Sequence, residues 1–532
     1  MTAPDGGAAP GPWDEVVVGA GTAGAVLAAR LAEDPGRRVL LLEAGTGPTS
    51  RDPAESRSGI PVLTGRHWDY SARIDLDAAI ADCPYPLGRT VGGTAAVNGA
   101  IALRGLPADF ERWAAAGNPE WSWDRVLPHY IRLESDADHK DAGHGDAGHG
   151  DEVHGLDGPV PIRRTDPAAL SPLAEAFVRA CGGLGLPTLG DLNGTGRSGA
   201  GRIPRNELGD RRMSPDLTHL AAARDRPNLT VWDRTEVVRV RLAGGRVTGV
   251  EASTPGGPRF VPAGRVTLAA GGVGTPLILQ RSGIGDPRRL EAAGIEPLVD
   301  LPGVGHGLCD HPAVPILATP LPGVCRAGLP WYEVMARIPA AGPATGPAAG
   351  GVPDLGIFLA SNVTTADVPR VGPMLGGRIA AMVSAVLLAP ESRGHVHATG
   401  PEPGSPPDLV LGLCAEPGDT ARLMRGVRTA WSILRSAEMS EYLGRPIIWT
   451  ERMVRDDALL SKALRRWVTP LFHASGTARM GGDGLAVVDE RCRVHQIGGL
   501  VVCDSSVMPS PVSAPPALTC LMLGERIATW MA

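Results

Sequence analysis

Three glycines and one acid near the N-terminus have the types and spacing to hold a pyrophosphate. Gly19, Gly21 and Gly24 stand in a GxGxxG pattern, and Glu43 follows nineteen residues after the last of them. In such a pattern the first glycine permits a tight turn and the second lets backbone approach the pyrophosphate. The third lets a helix pack on a strand. A helix starting inside the pattern offers unpaired N–H groups and a partial positive charge to the same anion. Glu43 is spaced to accept from the ribose hydroxyls of an adenosine.

Those residues act only if regular elements hold them. Residues 14–45 read DEVVVGAGTAGAVLAARLAEDPGRRVLLLEAG. The apolar run Glu15–Val18 predicts a buried strand ending at Gly19. The Ala/Leu-rich stretch to about Glu33 predicts a helix, and Arg38–Leu42 predicts a second strand ending at Glu43. Strand, glycines, helix, strand and acid in this register predict a dinucleotide site on an α/β, Rossmann-like fold. The pattern alone does not separate FAD from NAD.

The chain has 532 residues, enough for about three ordinary domains or two large ones. Hydrophobic residues make up 43% and charged residues 20%, the balance of a globular protein rather than a disordered one. A net charge of −6 gives no electrostatic case for nucleic acid or an anionic membrane. The start lacks a basic and an apolar region of the secretory type, and no apolar run reaches membrane-spanning length. The eight cysteines are scattered without a CxxC pair, which fits reduced thiols in a cytoplasmic protein and no zinc site. Cations that are nearly all arginine, with 71 glycines and 50 prolines, read as bacterial coding bias.

Two further glycine-rich blocks occur, GRTVGGTAAVNGAIALRG at 88–105 and GGVGTPLILQRSGIGD at 271–286. With GVGHGLCDHP (303–312), HASGTARMG (473–481) and VVCDSSVMP (501–509), in this order, the chain resembles the glucose-methanol-choline (GMC) oxidoreductases over nearly its whole length. The resemblance implies FAD, a small-molecule substrate and oxidation of an alcohol to a carbonyl by hydride transfer to flavin N5. It implies that Gly92, Gly93 and Thr94 wrap the pyrophosphate, while Asn98, Gly99 and Ala100 lie along the flavin. Val237, in the strand-like TEVVRVRL, matches the residue whose backbone pairs with adenine; Asp504 and Ser505 match the pair closing on the ribityl–pyrophosphate side. Ala95 and Ala96 stand where a histidine would be needed for a covalent link, so FAD is expected to be dissociable. The electron acceptor, oxygen or another, is left open.

Alcohol oxidation moves a hydride from carbon and a proton from oxygen. A neutral imidazole suits the proton. By the resemblance His473 is the catalytic histidine, and a second residue, Asn or His, steadies the substrate oxygen. The corresponding run here is DSSVMPSPVSAPPALTCLMLGERIA (504–528), in which Pro515, Pro516 and Ala517 replace the usual NTN and the partner position falls on Ala517. No histidine or asparagine lies between Gln496 and Ala532 to take its place. Losing one preorganised donor typically costs about 10²–10³ in rate, or about 3–4 kcal/mol. Three readings follow. The enzyme oxidises a bulky, natural-product-like alcohol with His473 alone; or it performs a non-oxidative reaction such as elimination or isomerisation; or it binds FAD without turnover.

The predicted architecture is a discontinuous FAD-binding domain (10–130, 215–305 and 465–532) and an α+β substrate domain with an antiparallel sheet (131–214 and 306–464). The Pro/Gly-rich stretch 338–354 reads as a long surface connection. The run SDADHKDAGHGDAGHGDEVHGLD (135–157), with histidines at 139, 144, 149 and 154, reads as a solvated flexible loop rather than a metal site. His311 reads as a packed structural histidine.

Overall fold

The apolar runs flanking the first glycine pattern fold as the centre of a five-stranded parallel sheet. A computed structural model describes residues 13–532 except 48–56, 58, 60, 62–64, 76–81, 142–152, 195, 341–350 and 365–376. In chain order the strands are β1 (Glu15–Val18), β2 (Val39–Leu42), β3 (Leu229–Trp232), β4 (Val266–Leu268) and β5 (Leu500–Val502). Their order across the sheet is β3-β2-β1-β4-β5, every pair parallel. Every residue of β1, β2 and β4 is buried, which is why these strands read as unbroken apolar runs rather than alternating ones. The strand order reverses between β1 and β4, and in such sheets a crevice opens beyond the carboxyl ends at the reversal.

Three helices matter for that crevice: α1 (Thr22–Leu31) leaves β1, α2 (Gly271–Arg281) leaves β4, and α3 (Ala517–Met531) follows β5. α1 and α3 approach closely at Gly524, where a Cβ would sit 2.8 Å from the carbonyl oxygen of Ala23. Arg30 on α1 and Glu525 on α3 lock the pair, with Nη2 2.9 Å from Oε1.

A second, eight-stranded sheet is antiparallel apart from one edge pairing. Its central strands are Pro312–Pro320, Ile379–Leu387, Leu355–Thr364 and Tyr332–Ile338, with Gly199–Arg202 and Thr188–Leu189 at one edge. Helix Pro417–Leu434 packs on it. Among the described residues no helix is long and apolar enough to cross a membrane.

The reading of 135–157 as a solvated loop needs correction at both ends. Glu134–Asp136 is a strand paired with Val160–Ile162, and Ala137–Asp141 is helical. His154 is buried, its Nδ1 3.1 Å from Glu134 Oε1 and its Nε2 3.1 Å from Asp191 Oδ2, while Arg164 joins Asp136 to Asp191. Paired charges, not glycines, decide the ends of this run, because a carboxylate left unpaired inside would be costly. His144 and His149, and positions 341–350 of the Pro/Gly-rich connection, lie outside the described residues.

Candidate active site

The glycine segments meet back to back at the carboxyl end of β1. Gly24 faces the carbonyl oxygen of Gly19, only 2.1 Å from where a Cβ would be, so no other residue lets α1 start here. Gly93, at φ +55°, presses on Gly21, where a Cβ would lie 2.6 Å from the Gly21 Cα. Gly88 is held by the same packing: its Cβ would fall 2.4 Å from the carbonyl carbon of Gly93. Gly21 differs, since nothing lies within 3.7 Å of its Cβ position, the nearest atom being the Gly93 Cα at 3.8 Å. A cradle open on that side and walled by backbone suits a pyrophosphate.

A cavity of about 460 Å³ begins at this cradle and runs to the antiparallel sheet. Of the residues singled out from sequence, Gly19, Gly21, Glu43, Gly93, Thr94, Asn98, Gly99, Val237, His473, Asp504, Ser505 and Ala517 line it. Gly24, Gly92 and Ala100 stand behind the wall. Glu43, at the end of β2, accepts from the N–H groups of Ala20 (3.0 Å) and Gly45 (2.8 Å). Burial pushes its carboxyl up to about 7 against those bonds. Asp504 accepts from the Gly271 N–H and the Thr275 hydroxyl through Oδ2, and from the Ser506 N–H through Oδ1. It therefore staples the start of α2 to the end of β5. The Ser505 hydroxyl donates to the Ala474 carbonyl at 2.6 Å, tying the residue after His473 to the same sheet end.

His473 is positioned by a buried acid that sequence reasoning missed. Asp310 Oδ1 accepts the backbone N–H groups of His311 (2.7 Å), His473 (3.1 Å) and Leu471 (3.3 Å), and Oδ2 accepts the Tyr85 hydroxyl (2.6 Å). Burial lifts its carboxyl to about 6, with the hydrogen bonds pulling the other way. The CDHP and LFHASG segments are thereby clasped around one carboxylate.

His311 is buried, as expected, but it is not only packing. Its Nδ1 lies 2.8 Å from His473 Nδ1, with the two rings at 82°. Its Nε2 lies 3.0 Å from both the Leu388 and the Val512 carbonyl oxygens. Carbonyls only accept, so Nε2 of His311 carries the proton. Burial lowers His311 to about 4, so the ring is neutral and its Nδ1 is an acceptor. His473 must then donate from Nδ1, which leaves its Nε2 with a lone pair. Burial first, and the His311 ring second, hold His473 well below its ordinary value of 6.5. No hydrogen-bond partner holds that Nε2 among the described residues, and the ring lines the cavity.

The segment SAPPALT (513–519) forms another part of the cavity wall. Pro515, Pro516 and Ala517 line the cavity, and α3 starts at Ala517. The first helical bond runs from the Cys520 N–H to the Pro516 carbonyl at 2.8 Å, so the N–H groups of Ala517, Leu518 and Thr519 precede the ladder. The segment has no side-chain donor at Ala517 but presents the positive end of a fifteen-residue helix. Just before it, the Val512 carbonyl orients His311, and the backbone N–H and hydroxyl of Ser513 bind the buried Asp109 at 2.6 and 2.7 Å.

The wall also carries Trp331, Tyr332, Phe358, Met382, Trp467 and Phe472, with His67, Arg281, Ser384 and Thr469 among its polar members. The acidic lining residues, Glu43, Glu236 and Asp504, are each bonded elsewhere, Glu236 to Arg89 at 3.0 Å.

Profiles described as GMC oxidoreductase match residues 13–313 and 390–524. A 5-(hydroxymethyl)furfural oxidase of Methylovorus sp. (strain MP688) is 34% identical, covering 97% of this chain and 98% of its own. An oxygen-dependent choline dehydrogenase of Klebsiella pneumoniae is 32% identical over 97% of this chain and 95% of its own. The crystal structure of pyridoxine 4-oxidase from Mesorbium loti superposes with a TM-score of 0.86 at 30% identity, covering 97% of this chain and 99% of that one. The chain belongs to the GMC oxidoreductases, a family of FAD-dependent enzymes.

Proposed function

We propose that the protein oxidises a primary alcohol borne on an aromatic or heteroaromatic ring to the aldehyde, with Nε2 of His473 as the base. The observation that carries this reading is the relay from the Leu388 and Val512 carbonyls through His311, which leaves the Nε2 lone pair of His473 free. FAD, held without a covalent link in the glycine cradle, supplies the hydride acceptor. His473 takes the hydroxyl proton as the hydride leaves carbon, and a base of this kind contributes about 10²–10⁴ in rate. The positive end of α3 stabilises charge across the cavity where a side-chain donor would otherwise stand.

The substrate class follows from the wall. Six aromatic or thioether side chains favour a flat ring; aromatic faces also take quaternary ammonium groups, so choline is the control that separates the two substrate classes. The names of two relatives, a 5-(hydroxymethyl)furfural oxidase and a pyridoxine 4-oxidase, point to hydroxymethyl groups on heteroaromatic rings. This narrows the expectation of a bulky alcohol to a planar one.

The test is anaerobic visible spectroscopy of the FAD-loaded protein with 5-(hydroxymethyl)furfural, pyridoxine, benzyl alcohol and choline. We expect loss of the oxidised-flavin band with ring-bearing alcohols and none with choline. If dithionite bleaches the flavin while no alcohol does, the proposal fails and non-oxidative chemistry takes precedence.

Glu43 offers a separate check on the cofactor. Its carboxylate reaches the cavity while anchored by two N–H groups, the arrangement needed to hold ribose hydroxyls. A hydrogen bond to a charged group is worth about 1.5–3 kcal/mol. Glu43→Ala should therefore weaken FAD binding roughly 10–100-fold, read by flavin fluorescence on reconstituting the apoprotein.

A further inference from the structure

The strand Gly394–His397 carries two histidines two residues apart, and strand alternation puts His395 and His397 on one face. Cross-strand register brings more ligands to that face. His397 is the antiparallel partner of Asp408 on Asp408–Val410, and His395 that of His306 on His306–Leu308. The side chains follow the register. His395 Nε2 lies 2.9 Å from Asp408 Oδ2, and the His395 and His397 rings stack with centroids 4.3 Å apart. The His306 ring stands edge-on to His397 at 5.0 Å. One donor atom from each of His395, His397 and Asp408 lies within 4.8 Å of the others.

The decisive feature is His397 Nε2. The residue is only 6% exposed, and this nitrogen is buried without a hydrogen-bond partner. Two other His/Asp clusters of similar spacing, Asp310–His311–His473 and Asp136–His139–His154, differ here. Their buried histidines, His311 and His154, have both ring nitrogens engaged. A buried polar atom without a partner calls for one that the protein does not supply.

We propose that His395, His397 and Asp408 bind a divalent first-row transition ion such as Zn²⁺ or Ni²⁺, with water completing its shell and the His306 ring alongside. Two imidazoles and one carboxylate suit such ions, whereas Ca²⁺ and Mg²⁺ prefer all-oxygen shells. Arg73 Nη2 holds Asp408 Oδ1 at 2.7 Å, which leaves Oδ2 for the ion. Arg289 Nη1 stands 3.2 Å from His397 Nδ1. Coordination at Nε2 moves the ring proton to Nδ1, so the exposed Arg289 side chain must swing away. That competition weakens the binding expected of the site. None of His306, His395, His397 and Asp408 lines the candidate catalytic cavity, although Pro407, next to Asp408, does.

The experiment is calorimetric titration of the FAD-loaded full-length protein with ZnCl₂, after clearing with EDTA and dialysis. One equivalent should bind, and His397→Ala and His395→Gln should each weaken binding at least tenfold. His395 is partly exposed, with 22% of its side chain accessible, so His395→Gln keeps the fold if His397→Ala does not. Zn²⁺ should raise Tm in the wild type and not in His395→Gln. The His-rich run is the rival source of binding, so the double variant His144→Ala/His149→Ala must retain the full equivalent. The proposal is overturned if the wild type takes up no zinc, or if the loss follows His144 and His149 instead.

Discussion

Replacing His473 with alanine lowers kcat by roughly 10²–10⁴-fold while FAD stays bound. The effect is confined to proton removal, because the backbone clasp on Asp310 uses the N–H of residue 473 and survives the substitution. A stopped-flow comparison of flavin reduction under saturating alcohol reads it directly. The pH dependence gives an independent signature. His473 is held well below 6.5, so its base form persists as pH falls through that value. The profile of kcat/KM should stay flat from neutral pH to below 6.5 and drop only in more acidic solution. A limb at 6.5 would mean an ordinary, solvated histidine, and an unchanged rate in His473→Ala would move the base elsewhere.

The second large effect is expected at His311, which touches neither substrate nor cofactor in this reading and acts through His473. His311→Leu removes the acceptor that keeps the proton on His473 Nδ1, and the ring can then carry it on Nε2, facing the cavity. In that tautomer it cannot accept a proton. Losing a group that orients a functional histidine typically costs about 10–100-fold in activity. We expect a fall of that size in kcat with KM little changed. His311→Asn separates positioning from packing, since its amide oxygen takes the place of Nδ1 as an acceptor. Partial recovery in His311→Asn relative to His311→Leu supports the relay. Equal loss in both would reduce His311 to a buried spacer.

Much of this protein is legible locally. The strand–glycine–helix–strand–acid series lies within about thirty residues of sequence, so its turn geometry and its burial pattern are dictated by near neighbours. The later glycine blocks and the LFHASG segment carry the family by order alone. SAPPALT shows the other side. From residue types it reads as inert, and in the side-chain sense Ala517 is. Yet the same stretch begins a helix at the cavity, and the residues just before it present a carbonyl to His311 and bind Asp109. Backbone donors and acceptors are present at every position, so a string of small and cyclic residues gives no sign of which ones are put to use.

The run with four histidines misled in the opposite direction. Glycine and charge suggest a solvated loop, whereas His154 is buried with its two ring nitrogens on Glu134, at the edge of the run, and on Asp191, from a separate segment. Asp310 was passed over for the same reason. Its value lies in three N–H groups and a tyrosine hydroxyl that converge on it, one of them from Tyr85, 225 residues away.

Sequence by itself determined the fold class, the family, FAD as the cofactor and the histidine to suspect, because each rests on short segments whose spacing reflects local geometry. Only the tertiary structure decided which nitrogen of His473 is basic. That choice depends on His311, 162 residues distant, and on the carbonyls of Leu388 and Val512 that fix its proton. A buried imidazole takes its tautomer from whichever acceptors packing delivers, and packing brings together residues that no local spacing rule connects.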